Sequence, residues 1–137
     1  LAVRYAAHDA STRQIAQWLT QQSEVTQVLH PALPGSPGHA HFLQTCRAAG
    51  GLVSMVFEAH RHPSAQVEAF VDALKLFKIG YSWGGPLSLV MPYELQGMRH
   101  HGPLAGMQGT LVRLAVGLEK VDDLIADLDQ AFRVLRG

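Results

Sequence analysis

Arg113 stands in Leu111-Val-Arg-Leu-Ala-Val116, where strand alternation puts Val112, Leu114 and Val116 on one face and Leu111, Arg113 and Ala115 on the other. With the all-aliphatic face turned to helices, the guanidinium projects from the opposite face among apolar neighbours. A planar fork of N–H donors in that setting can hold a carboxylate through two parallel hydrogen bonds. The competing reading is a solvated arginine on an open sheet face, the commoner place for one. Tyr81-Ser-Trp-Gly-Gly85 is the second feature. Its paired glycines allow a sharp turn and a close backbone approach to a ligand. Ser82 and the neighbouring N–H groups could bond an anionic group. The plainer alternative is a bulged strand with Trp83 in the core.

Other chemistry-bearing residues carry less. His39-x-His41 and His60-x-His62 lack a third ligand, and Cys46 has no cysteine partner at zinc spacing. No metal is expected. Gly35-Ser-Pro-Gly38 fails the G-x-S-x-G pattern of a nucleophile elbow, and phosphate-loop and dinucleotide glycine patterns are absent. Lys75, Lys78 and Lys120 read as solvated charges.

The elements that must position Arg113 and Ser82 follow from periodicity. A helix is predicted from the start to about Gln22, with Ser11 to Gln14 resembling a capping box that would start or restart it. A short strand, Val25–Leu29, runs into His30-Pro-Ala-Leu-Pro-Gly-Ser-Pro-Gly38, whose prolines and glycines exclude regular structure. Gly51–Phe57 is apolar at nearly every position and reads as a covered strand. Val67, Phe70, Leu74 and Phe77 make the stripe of a helix from Ser64 to Phe77. Residues 79–93 read as an irregular strand broken at Gly84-Gly85-Pro86, and 94–109 as a loop. After the Arg113 strand, Val121, Leu124, Ile125, Leu128, Phe132 and Leu135 line a final helix whose first turn carries Asp122 and Asp123. This order predicts an α+β domain: a small, mostly antiparallel sheet with helices on one face.

The 137 residues suit one domain, and eleven basic residues balance eleven acidic ones. Zero formal charge argues against nucleic-acid or anionic-membrane partners, which need a clustered positive field. No apolar run is long enough to span a bilayer, and no signal-peptide pattern opens the chain. The lone Cys46 fits a reducing, cytoplasmic setting. Starting at Leu1 inside a helical pattern, the chain is expected to be a segment of a longer protein.

Three motifs in register carry a resemblance: His30-Pro-Ala-Leu-Pro-Gly-Ser-Pro-Gly-His39, Tyr81-Ser-Trp-Gly-Gly85, and Leu111-Val-Arg-Leu-Ala-Val-Gly-Leu-Glu119 followed by Val121-Asp-Asp-Leu-Ile-Ala-Asp-Leu128. Together the chain resembles the C-terminal part of the Cys/Met-metabolism family of pyridoxal-phosphate (PLP) enzymes. Trp83 after Ser82 favours the cystathionine β-lyase branch over the γ-synthase and γ-lyase relatives. The resemblance implies that residues 1–137 are the C-terminal substrate-carboxylate-binding domain of a fold-type I PLP enzyme. Arg113 would clamp the substrate α-carboxylate, and Ser82 and Trp83 would complete its pocket. The implied reaction is β-elimination of cystathionine to homocysteine, pyruvate and ammonia in methionine metabolism. No catalytic residue is expected in this chain, because the family's Schiff-base lysine and PLP-binding large domain precede the segment. PLP is expected in the full-length enzyme and not on this chain alone, so the isolated chain is expected to be inactive. The family forms homotetramers, and the segment could also self-associate through an uncovered sheet face. One departure stands out: the family's Glu-Ser after the glycine pair and one further residue is Leu87-Ser88 here. The rival classes are a stand-alone α+β amino-acid-binding or dimerisation module and a histidine-based metal-binding domain.

Overall fold

The computed structural model describes residues 1–98, 100–102 and 104–137; Arg99 and Pro103, within the predicted 94–109 loop, lie outside the described residues. The elements in chain order are α1 (Ala2–Thr20), β1 (Gln27–Leu29), α2 (His39–Thr45), β2 (Leu52–Glu58), α3 (Ser64–Ala73), β3 (Lys78–Ile79), β4 (Leu89–Glu94), β5 (Gly109–Ala115) and α4 (Val121–Arg136). Five strands form one sheet in the order β1-β2-β5-β4-β3, antiparallel throughout except for the β3–β4 pair. The α+β architecture, with a mostly antiparallel sheet, is as the sequence predicts.

The alternation written into the strands decides which face receives the helices. Val53, Met55 and Phe57 of β2, Val90 of β4, and Val112 and Leu114 of β5 all point into one core. α1 contributes Ile15, Ala16 and Leu19, α3 Val67, Phe70 and Val71, and α4 Leu124, Leu128, Ala131, Phe132 and Leu135. The helical spacing of these residues puts them on single faces, so each helix buries one stripe and leaves the rest wet. Phe132 lies at the centre, with ring centroids 5.0 Å from Phe70, 5.7 Å from Trp18 and 6.3 Å from Phe57. Offset and edge contacts of this kind add to area burial.

Several local expectations need correction. α1 runs unbroken through Ser11 and Gln14, so no cap restarts the helix there. Thr12 instead turns its hydroxyl back onto the His8 carbonyl at 2.6 Å, satisfying itself inside the helix. α3 stops at Ala73 rather than Phe77. The buried carboxylate of Asp127 on α4 accepts the N–H groups of Lys75, Leu76 and Phe77 at 2.8–3.3 Å and draws that stretch out of the helix. Leu74 and Phe77 stay buried all the same, so their apolar stripe was a true core signal on a non-helical backbone. α2 was not anticipated, since only Phe42 of its seven residues is buried and no stripe exists to be read. The single irregular strand expected at 79–93 is two strands, β3 and β4, that lie parallel and are joined by residues 80–88.

Candidate functional site

Arg113 occupies the centre of β5, opposite Ser54 of β2 on one side and Met91 of β4 on the other. Its neighbours β2 and β4 hold it in mid-sheet, and alternation turns it away from the helices. That far face is not bare. Leu95, Met98 and Leu104 of the 95–108 connection stand over it, and with Leu29, Ser54, Tyr93, Leu111 and Arg113 they line a hollow of about 360 Å³. The arginine is half-buried in walls that are mostly aliphatic or aromatic.

Two features of the guanidinium limit what it can do. Nη2 donates a short hydrogen bond to the Tyr81 carbonyl, which fixes the plane of the group. Nε is shielded from solvent and has no partner among the described residues. A buried donor left unpaired costs about 1–3 kcal/mol, a cost the fold carries at this position. A carboxylate is the acceptor whose geometry and charge fit an oriented guanidinium.

The contact with Tyr81 brings the second sequence feature to the first. Ser82 is the next residue along and is exposed, as is Tyr81. Gly84 has φ +76°, a left-handed conformation in which glycine meets no steric cost, and the chain bends there after Trp83. Trp83 is 67% exposed, so the core reading of this side chain is excluded. It does not share the Arg113 hollow: with Leu1, Tyr5, His8 and Leu52 it lines a separate one of about 330 Å³ beside the start of α1. Arg113 and the Tyr81–Trp83 backbone are therefore brought together, while the indole looks elsewhere.

The lysines stand apart from this site. Lys75, Lys78 and Lys120 are all exposed, and none lines the Arg113 hollow. Among the described residues no group of three His, Cys, Asp or Glu side chains is placed to hold a metal ion. His39 Nδ1 donates to the Pro31 carbonyl at 2.7 Å, and His62 Nδ1 meets Gln66 Oε1 at 3.0 Å. No described helix is long and apolar enough to cross a membrane.

Sequence reasoning missed the residues that hold the 81–88 segment in place. His8 of α1 donates from Nε2 to the Gly85 carbonyl at 3.0 Å. Glu119, between β5 and α4, grips Ser88. Glu119 lay in a quoted motif, so a signal existed for it. His8 is 77 residues from its partner, and nothing local marks it.

Known proteins match this chain in sequence and in fold. The model of the family "Cys/Met metabolism PLP-dependent enzyme" matches residues 1–133. Cystathionine β-lyase of Haemophilus influenzae is 41% identical over 134 residues, covering 96% of this chain and 34% of the relative. Its counterpart from Salmonella typhimurium is 42% identical over 134 residues, with the same coverage. Among solved structures, the cystathionine γ-synthase of Xanthomonas oryzae pv. oryzae, in complex with aminoacrylate and cysteine, superposes with a TM-score of 0.81. It is 30% identical, and the match covers 98% of this chain and 35% of that one. The chain thus spans about a third of the length of the curated relatives it matches. A match across nearly the whole chain, in sequence and in fold, places it in the Cys/Met-metabolism family of PLP-dependent enzymes.

Proposed function

We propose that this chain is the substrate-carboxylate-binding part of a PLP-dependent carbon–sulfur lyase that cleaves cystathionine by β-elimination, giving homocysteine, pyruvate and ammonia. The observation that carries the proposal is the guanidinium of Arg113, oriented by the Tyr81 carbonyl and set in a mostly apolar hollow on the sheet face away from the helices. Ser82, the next residue along the chain, would add a hydroxyl donor. Ser82-Trp83, together with the two β-lyase relatives, supports β- over γ-elimination.

The residues present do not fit the cofactor itself. No lysine reaches the Arg113 hollow, and all three are solvated on other surfaces. In this family PLP supplies an electron sink for charge that develops at the substrate Cα. This chain's part is to bind and orient. Two parallel hydrogen bonds from Arg113 would fix the substrate's Cα–carboxylate axis, and with it the direction of the bond to be broken. The apolar wall of Leu95, Leu104 and Leu111 keeps water from competing for the guanidinium. On this reading the isolated 137-residue chain releases no pyruvate from cystathionine.

The test is an assay of the longer protein carrying this chain, with pyruvate and 2-oxobutyrate measured separately. Pyruvate release that falls about a hundredfold in kcat/KM on Arg113→Ala is the expected result. Dominant 2-oxobutyrate would move the assignment to γ-elimination, and undiminished kcat/KM in the variant would remove Arg113 from the site.

A further inference from the structure

The segment that carries Tyr81, Ser82 and Trp83 has almost no packing of its own. Tyr81, Trp83 and Leu87 are all about two-thirds exposed. A stretch with so few buried contacts keeps its position through hydrogen bonds, or opens readily. Those bonds converge on its far end. Glu119 Oε2 accepts the Ser88 N–H at 2.9 Å, and Oε1 accepts the Ser88 hydroxyl at 2.8 Å. The same hydroxyl oxygen accepts the Gly117 N–H at 2.8 Å, and Leu118 N–H reaches the Pro86 carbonyl at 2.8 Å. Ser88 is fully buried, so its hydroxyl and N–H are satisfied by this set. Gly117 is what permits the approach, since a Cβ there would collide with Pro86 O, Leu87 C and Glu119 Oε1. From the opposite side, buried His8 holds the Gly85 carbonyl.

The segment is therefore fastened at Tyr81 by Arg113 and at Gly85–Ser88 by His8 and Glu119, with Ser82 and Trp83 suspended between. Bonds to an ionised group are about twice as strong as neutral ones; Glu119 makes two of them and Arg113 one. The departure at Leu87 does not touch it: Leu87 is exposed, and the serine that Glu119 grips is kept. The structure assigns to Glu119, acting through Ser88, the role of positioning residue for the Arg113 carboxylate site. Loss of its grip lets the Tyr81 carbonyl drift, and the guanidinium loses the acceptor that sets its plane. This assignment rests on the carboxylate reading of Arg113.

The test compares Glu119→Gln, Glu119→Leu, Ser88→Ala, Arg113→Lys and the double variant Arg113→Lys/Glu119→Leu in the longer protein. The readouts are KM and kcat for cystathionine, hydrogen exchange over residues 81–88, and Tm. Glu119→Leu is expected to raise KM about tenfold with little change in kcat. Exchange should quicken over 81–88 and stay unchanged in α1, α3 and α4. Glu119→Gln keeps an acceptor for the Ser88 N–H and should recover most of the wild-type KM. The double variant should be no worse in KM than Arg113→Lys, because both changes act on one interaction. Wild-type KM in Glu119→Leu, KM effects that multiply in the double variant, or faster exchange across the core helices would each overturn the assignment. If Glu119→Leu fails to fold, Ser88→Ala takes its place with the same expected and overturning results. Arg113→Lys at wild-type KM would sink the carboxylate reading itself, and the positioning role with it.

Discussion

A backbone carbonyl decides what Arg113 can offer. With Nη2 committed to Tyr81 and Nε shielded but unpaired, the side chain is oriented before any ligand arrives. Lysine would keep the charge and lose the fork, so the two are not interchangeable here. Alternation along β5 made the direction of Arg113 legible in the sequence, because Val112 and Leu114 had to face the core. Its partner was not legible, since a backbone carbonyl carries no residue-type signature. His30 opened a quoted motif, but nothing in the sequence marked it as buried. Its Nδ1 accepts the Ala32 N–H at 3.3 Å, and burial, with Arg13 nearby adding to the effect against Asp9, holds its pKa below the ordinary imidazole value. A depressed folded pKa means stability that is complete above the unfolded value of about 6.5 and lost as pH falls from there toward the folded one. The urea midpoint should therefore drop between about pH 7.5 and 5.5. His30→Asn, which retains an acceptor for Ala32, should show a smaller drop; equal drops in the two proteins would contradict the assignment to His30.

At the scale of elements, the carboxylate of Asp127 ends one helix from within another. Oδ1 takes Lys75 N–H at 2.9 Å and Gln130 Nε2 at 3.0 Å, while Oδ2 takes Leu76 N–H at 2.8 Å. These bonds turn the chain from α3 into β3. No glycine or proline marks that turn, which is why the apolar stripe alone ran the predicted helix on to Phe77. α2 and β3 were illegible for a different reason. One has a single buried residue, and the other is two exposed residues held by a neighbour. The long amphipathic helices and the alternating strands β2 and β5 were legible because core burial imposes their periods. Asp127→Ala leaves three backbone donors without an acceptor and should cost about 2–4 kcal/mol, measured by urea unfolding. A loss under about 0.5 kcal/mol would show that these bonds do not hold the turn.

Taken whole, the molecule separates its stabilising face from its proposed binding face by the thickness of one sheet. The helices cover Val53, Met55, Phe57, Val112 and Leu114, and Arg113 with its hollow lies on the other side. Phe132→Ala, which empties the centre of the aromatic cluster, should cost about 3–5 kcal/mol in urea unfolding. Arg113→Leu should cost well under that, since the bond it loses to Tyr81 lies on the far face, outside the helix-covered core. Comparable losses in the two variants would deny that separation. The sequence carried this division through strand alternation. It did not carry the roof of the hollow, where Leu95 and Leu104 come from a stretch without any period.

The central claim is that Arg113 reads the substrate's α-carboxylate. The direct measurement compares an S-alkyl-L-cysteine with its α-carboxamide in the longer protein, wild type against Arg113→Leu. Wild type should favour the carboxylate by about a hundredfold in kcat/KM, and the variant should lose nearly all of that preference. A preference that survives intact in Arg113→Leu would contradict the account.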